Sequence, residues 1–180
     1  MKAKSAKTER GFELIQASSA PEIAAARVLF TEYGASLGFS LCFQSFEDEL
    51  ASLPGKYAPP QGRLLLARAS SGEFLGCVAL RPLNGETCEM KRLYTRPEAR
   101  GAGLGKALVD AIIAAAREIG YARMRLDTVP SVMASAVKMY RGLGFQEIPP
   151  YTENPVEGAI FMELELRRRL RDSTANSAFG

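Results

Sequence analysis

Apolar residues recur along this chain with two different periods, and the switches between them predict its elements. Phe12 to Gln16 has the length and composition of a short strand, and after Pro21 the positions Ile23, Arg27, Phe30 and Leu37 fit one face of a helix. A second helix is predicted over Ser45–Leu53, with Ser45 as N-cap and Asp48 three residues on, and Pro54-Gly55 stops it ahead of the proline-rich loop Tyr57–Gly62. Arg63–Ala69 and Glu73–Arg81 read as strands joined at Ser70-Ser71-Gly72, and Asn84-Gly85 is a strong hairpin signal leading into a strand over Thr87–Thr95. Leu104, Leu108, Ile112, Ala115 and Ile119 return to the helical period, and Gly120 suits the residue after the last turn.

Tyr121–Thr128 alternates again, with Ala122, Met124 and Leu126 on one face and Arg123, Arg125 and Asp127 on the other. A short helix follows Pro130 through Val132, Ala136, Met139 and Leu143, closed by Gly144. Phe145–Ile148 makes a short strand, and Ile160, Met162, Leu164 and Leu166 make the apolar side of a last one. The order is one strand, two helices, a three-strand meander, helix, strand, helix and two strands. It predicts one mixed α/β (α+β) domain over residues 11–166, preceded by a flexible leader at 1–10 and followed by a basic, then polar, tail at 167–180.

With 180 residues of which 47% are hydrophobic, the chain can bury one good core. No apolar run approaches a membrane span and the basic N-terminus leads into no apolar segment, so no membrane association and a cytoplasmic location are expected. The net charge of +3 is modest and is concentrated at the two ends, where Arg167-Arg168-Arg169 reads as part of a solvated tail and not as a nucleic-acid site. Cys42, Cys77 and Cys88 form an odd set without metal-ligand spacing. If Asn84-Gly85 is the turn, Cys88 faces Arg81, so a Cys77–Cys88 bridge is not expected and buried free thiols are.

The absence of histidine changes the picture most. It removes Ser-His-Asp and Cys-His chemistry and the commonest transition-metal ligand, so no metal is expected. Proton transfer at neutral pH must then use carboxylates, tyrosine, lysine, cysteine or water.

The candidate chemistry lies in Glu89-Met-Lys-Arg-Leu-Tyr-Thr-Arg-Pro-Glu-Ala-Arg100-Gly-Ala-Gly-Leu-Gly-Lys106, where a strand ends and a glycine-rich turn opens a helix. Glycines allow a tight turn and a close backbone approach, and the first helical turn leaves N–H groups unpaired at the positive end of the helix dipole. Such a turn suits a pyrophosphate, with Arg100 and Lys106 adding charge. A Walker A loop needs glycine where Arg100 stands and Ser or Thr where Ala107 stands, and a dinucleotide fingerprint needs glycine at Lys106. Both patterns fail, and what survives is Arg-x-x-Gly-x-Gly from Arg100 to Gly105.

That segment resembles the acetyl-CoA signature of the GNAT superfamily of N-acetyltransferases, and Ala136-Val-Lys-Met-Tyr140-Arg-Gly-Leu-Gly-Phe145 resembles its second mark. The resemblance spans roughly residues 10–166 and implies a central mixed, mostly antiparallel sheet of about six or seven strands flanked by about four helices. It also implies acetyl-CoA as cosubstrate. The backbone of Leu93, Tyr94 and Thr95 would meet the pantetheine arm, and Arg100, Gly101, Ala102, Gly103, Leu104, Gly105 and Lys106 would hold the pyrophosphate. Tyr140 matches the tyrosine that protonates the departing thiolate. Glu89, eleven residues before Arg100, matches a glutamate that in several members takes the amine proton, often through water. Its alternative is a structural carboxylate paired with Arg92 or Arg125. A strand amide near Leu93 is expected to stabilise the oxyanion. Many members carry asparagine seven residues before the tyrosine. This chain has Met133, with Ser131 or Ser135 as possible replacements.

Acceptor choice is expected from the first two helices and the loops Tyr57–Gly62 and Pro149–Gly158, which hold Phe39, Phe43, Phe46, Tyr57, Tyr151, Glu153 and Asn154. Lys56 and Arg63 nearby would suit an acceptor carrying a carboxylate. The leading expectation is a small-molecule amine acetyltransferase acting by direct attack in a ternary complex, as a monomer or homodimer. The alternatives are a protein or peptide acetyltransferase and a non-catalytic acyl-CoA sensor.

Overall fold

The computed structural model describes residues 11–42 and 45–167; the expected leader, Phe43 and the tail beyond Arg167 lie outside the described residues. The elements are β1 (Phe12–Gln16), α1 (Ala20–Ser36), α2 (Phe46–Ser52), β2 (Arg63–Ala69), β3 (Phe74–Asn84), β4 (Thr87–Thr95), α3 (Leu104–Ile119), β5 (Arg123–Thr128), α4 (Pro130–Gly142), β6 (Gln146–Ile148) and β7 (Ile160–Glu165). They build one seven-stranded sheet in the order β1-β2-β3-β4-β5-β7-β6. Every neighbouring pair is antiparallel except β4 and β5, which run parallel. The mixed, mostly antiparallel sheet with four helices is the expected class.

A core lies on each face. α3 is strongly amphipathic and buries Leu104, Leu108, Val109, Ile112, Ile113 and Ala116 against Val78, Leu80, Met90 and Met124. Each fully buried Leu, Ile, Val or Met side chain among them contributes about 1.5–3 kcal/mol. On the other face α1 lays Ala26, Leu29 and Phe30 over Leu64, Leu66, Cys77 and Ala79. α1 begins at a capping box: the Glu22 amide donates to Ser19 Oγ, and the Ser19 amide donates to Glu22 Oε2 at 2.9 Å. Ser19-Ala-Pro-Glu22 carries that signal openly, although spacing alone had pointed only to Pro21.

Four expectations need correction. The β3–β4 turn is Gly85-Glu86, not Asn84-Gly85, because β3 runs on through Pro82 to Asn84 with an irregularity between Pro82 and Asn84. Cys88 therefore faces Pro82, and Glu89 faces Arg81. Ser45 does not cap α2: its backbone is left-handed (φ 52°) and its side chain makes no capping bond. Val132 is 46% exposed, since the backbone of α4 kinks at Met133 (φ −123°, ψ 39°) and turns the first residues away from the face that buries Val137 and Tyr140. All three cysteines are free, with Cys77 and Cys88 buried as expected and Cys42 exposed.

Among the described residues no helix is long and apolar enough to cross a membrane, and no group of three or more Cys, Asp or Glu side chains is placed to hold a metal.

Candidate active site

The site follows from one feature of the sheet. β4 and β5 pair only over Thr87–Glu89 with Arg123–Arg125, at the start of each strand. Beyond that the strands part, and a cavity of about 750 Å³ opens between Met90–Thr95 and Leu126–Val129. The turn before α3, the kinked start of α4, and the end of α1 with the loop after it supply the remaining walls.

A bulge aims the β4 wall. Cys77 pairs with Tyr94 and Ala79 with Lys91, so Arg92 and Leu93 together oppose Val78. Arg92 takes up the extra residue with φ at 59°, an uncommon conformation for a long side chain. Gly76 sits opposite Thr95 at this end, where a Cβ would lie 2.5 Å from the Tyr94 carbonyl, so β3 must be bare there. The sequence did carry the signal. Cys88 and Met90 alternate on the α3 side, and the next residue packed there is Leu93, one position late.

At the far end of β4 the chain turns through Pro97–Ala99 and two left-handed glycines, Gly101 (φ 85°) and Gly103 (φ 74°). Gly103 is the N-cap of α3 and brings no side chain to cap it. The Ala107 amide makes the bond to the Gly103 carbonyl, so the amides of Leu104, Gly105 and Lys106 come before the first intrahelical acceptor. Gly105 faces the strand, and a Cβ there would meet Thr95 Cγ2 at 3.9 Å. Arg100 lies against the same carbonyl end, with Nε 3.4 Å from the Thr95 oxygen. The Lys106 side chain points away and pairs with Asp110 at 2.6 Å. Of the residues singled out from the sequence, Leu93, Tyr94, Thr95, Arg100, Gly101, Gly103, Leu104, Gly105 and Tyr140 line the cavity; Ala102, Lys106 and Glu89 do not.

Tyr140 is 5% exposed and packs its ring against Phe145, centroids 5.6 Å apart. Burial, with the nearby Tyr33 and Asp127, pushes its phenol well above the ordinary range, so the group stays protonated at neutral pH. Ser131 and Ser135 line the cavity beside Met133, whose sulfur accepts a bond from Thr128 Oγ1.

Glu89 is 1% exposed and fully engaged. Arg81 donates to Oε2 at 2.7 Å, Tyr151 donates to Oε1 at 3.0 Å, and Lys91 lies 3.8 Å from Oε1. Its partners are therefore Arg81, Lys91 and Tyr151, not Arg92 or Arg125; Arg125 pairs with Glu163. One step along the strand, Lys91 donates to Asp127 Oδ1 at 3.1 Å, and Asn154 donates to Oδ2 at 2.8 Å. Burial alone would raise the Asp127 carboxyl, but the Lys91 charge and these two bonds hold it below the usual range. Lys91, Asp127 and Asn154 line the cavity, whereas Lys56 and Arg63 do not. Arg63 is spent on the carbonyls of Pro60 and Gly62. Sequence reading had placed Asn154 in an acceptor loop and had missed Lys91 and Asp127, because their pairing exists only once β4 and β5 lie side by side.

Known proteins resemble this chain in sequence and in fold. Residues 29–145, well over half of the chain, match the acetyltransferase (GNAT) family. An uncharacterised N-acetyltransferase of Schizosaccharomyces pombe is 44% identical over 79% of this chain and 87% of its own. A GNAT-family acetyltransferase from Staphylococcus aureus superposes with a TM-score of 0.72 at 18% identity, covering 87% of this chain and 99% of that one, which shows the shared fold. A Klebsiella pneumoniae protein assigned as an acyl-CoA N-acyltransferase does so with a TM-score of 0.66 at 25% identity, over 88% and 100% of the two chains. By family match, relative and fold together, the chain belongs to the GNAT family of acetyltransferases and is an N-acetyltransferase.

Proposed function

We propose that this enzyme transfers the acetyl group of acetyl-CoA directly to the primary amine of a small molecule held in the cleft between β4 and β5. The observation that carries the reading is the cleft itself: a parted strand pair with a glycine-rich helix start, uncapped by any side chain, at its mouth. The residues fit the coenzyme. A pyrophosphate needs bare amides and room, and Gly101, Gly103 and Gly105 offer both beside Arg100. A pantetheine arm needs backbone groups to pair with, and the bulge leaves Leu93–Thr95 turned from β5 toward the cavity. Ala102 and Lys106 take part through their backbone.

Acetyl-CoA supplies an activated acyl group with a thiolate leaving group. The chain's part is to orient that group, polarise its carbonyl, remove a proton from the amine and return one to the sulfur. A Leu93 amide at the bulge serves as the oxyanion donor. Tyr140, neutral and buried on the cavity wall, is the acid. Glu89 lies behind the wall, so an amine proton reaches it through water passing the Lys91–Asp127 pair.

A small acceptor is favoured by the far end of the cavity. Tyr33, Leu37, Phe39 and Leu41 close it with apolar surface, and Asp127 with Asn154 gives it one polar corner. Among the described residues that line it Asp127 is the one carboxylate, whereas a basic peptide would favour several. Thiol release from acetyl-CoA in the presence of a panel of small primary amines and of lysine-bearing peptides tests this. Turnover with at least one small amine, and at least about tenfold less kcat/KM with every peptide, is expected. Preference for a peptide would move the acceptor to the protein class.

A further inference from the structure

The bulge that shapes the β4 wall is held mainly by side chains behind the cavity wall. Arg92 keeps a left-handed backbone at φ 59°, which a residue with a Cβ adopts at a cost and retains only where its surroundings enforce it. Its guanidinium is buried and clamped by Glu49 of α2, Nε to Oε1 at 3.1 Å and Nη2 to Oε2 at 2.5 Å. It lies over the ring of Phe46, also in α2, at 5.0 Å and over that of Tyr33 in α1 at 5.9 Å. Glu49 is fixed in turn by the Tyr57 hydroxyl at 2.6 Å. Behind the strand, the Cys77 thiol donates to the Arg92 carbonyl at 3.3 Å.

Glu49, Phe46, Tyr33 and Cys77 all bear on Arg92, and Tyr57 bears on Glu49; Arg92 and Tyr33 line the cavity, whereas Glu49, Phe46, Tyr57 and Cys77 do not. α2 buries no residue fully, and this clamp, the Tyr57–Glu49 bond and the Arg27–Leu50 carbonyl bond (2.8 Å) are polar ties that hold it to the rest of the fold. We propose that Arg92 is a positioning residue. Through Glu49 it holds the bulge in the conformation that turns the Leu93–Thr95 backbone toward the cavity, so that acetyl transfer requires α2 to be docked. The inference rests on the proposed function, since it assigns the bulge backbone to the reacting carbonyl.

The geometry separates two roles that a single substitution would confuse. Glycine adopts a positive φ freely, so Arg92→Gly keeps the backbone permitted while removing the anchor. Combined with Glu49→Gln it leaves neither charge buried without its partner, which protects the fold. For this double variant the expected result is a fall in kcat of roughly a hundredfold, the scale of a misplacement near 1 Å, with a much smaller loss of coenzyme A affinity, because the pantetheine contact along Leu93–Thr95 loosens while the pyrophosphate turn is untouched. In the coenzyme complex the Leu93 and Tyr94 amides should exchange with solvent at least about tenfold faster than in wild type.

Wild-type kcat with unchanged exchange would overturn the proposal. So would an equal loss of coenzyme affinity, kcat and melting temperature, which would mark the pair as structural only. If the wild-type enzyme itself acetylates no amine, the proposed function fails, and amide exchange alone then decides whether the clamp holds the bulge.

Discussion

Replacing Tyr140 by phenylalanine is expected to slow the chemical step roughly ten- to a thousandfold while leaving acetyl-CoA affinity nearly unchanged. The ring is 5% exposed and in contact with Phe145, and phenylalanine preserves that packing. A stability loss well under ~2 kcal/mol should follow, seen as matching thermal melts. What the variant removes is a phenol proton on the cavity wall that burial keeps in place. Burial raises the phenol's pKa in the folded protein, so the protonated form persists to higher pH than for an exposed tyrosine. The wild-type rate should therefore show no loss assignable to this group as pH rises through neutrality. Steady-state rates on the best amine check both points. Full activity in Tyr140→Phe would hand the proton to water and leave Tyr140 as a core aromatic.

A valine at Gly105 should weaken coenzyme A binding by at least about a hundredfold, near 2.7 kcal/mol, with little harm to the fold. Gly105 has an ordinary helical backbone, and a Cβ there meets only Thr95 Cγ2, at 3.9 Å. The added side chain occupies the space between strand end and helix start that a pyrophosphate needs. Gly103 looks equivalent in sequence, yet at φ 74° it would force a branched residue into a left-handed conformation and mix folding with binding. Calorimetric titration with coenzyme A, beside a thermal melt, reads the two effects apart. An unchanged dissociation constant would remove the α3 turn from the site.

The elements with a strong period were legible almost to the residue. β1, β2, β4 and α3 have the bounds that the sequence marks, α3 because it buries one face and the strands because they lie against the packed cores. The signals failed where a local irregularity shifts the phase. Asn84-Gly85 is a strong turn pair, but the irregularity after Pro82 moves the turn on by one residue, and that single step brings Arg81 opposite Glu89. Ser45 has the side chain of a cap, but its amide closes a turn on the Cys42 carbonyl and its backbone is left-handed. The kink at Met133 could not be read from spacing, and it is what exposes Val132.

Legibility in the site divides the same way. The glycine turn and Tyr140 announce themselves because short contiguous patterns specify them. The Lys91–Asp127–Asn154 wall, with Glu89 behind it, does not, because it joins β4, β5 and the loop before β7, and its pairings depend on strand register. The Arg92–Glu49 clamp spans 43 residues of sequence and depends on a bulge whose only trace was the late arrival of Leu93.

Direct transfer between the two bound substrates is the core of this account, and initial velocities measured across both concentrations test it most directly. The chain has no histidine to activate a thiol, Cys77 and Cys88 are buried with burial raising their thiols' pKa, and neither lines the cavity. Among the described residues no cysteine lines the cavity, so an acetylated thiol intermediate has no place in the site to form. Double-reciprocal plots for acetyl-CoA at several amine concentrations should intersect, as a ternary complex requires. Parallel lines, with acetyl groups trapped on the protein when the amine is withheld, would contradict it.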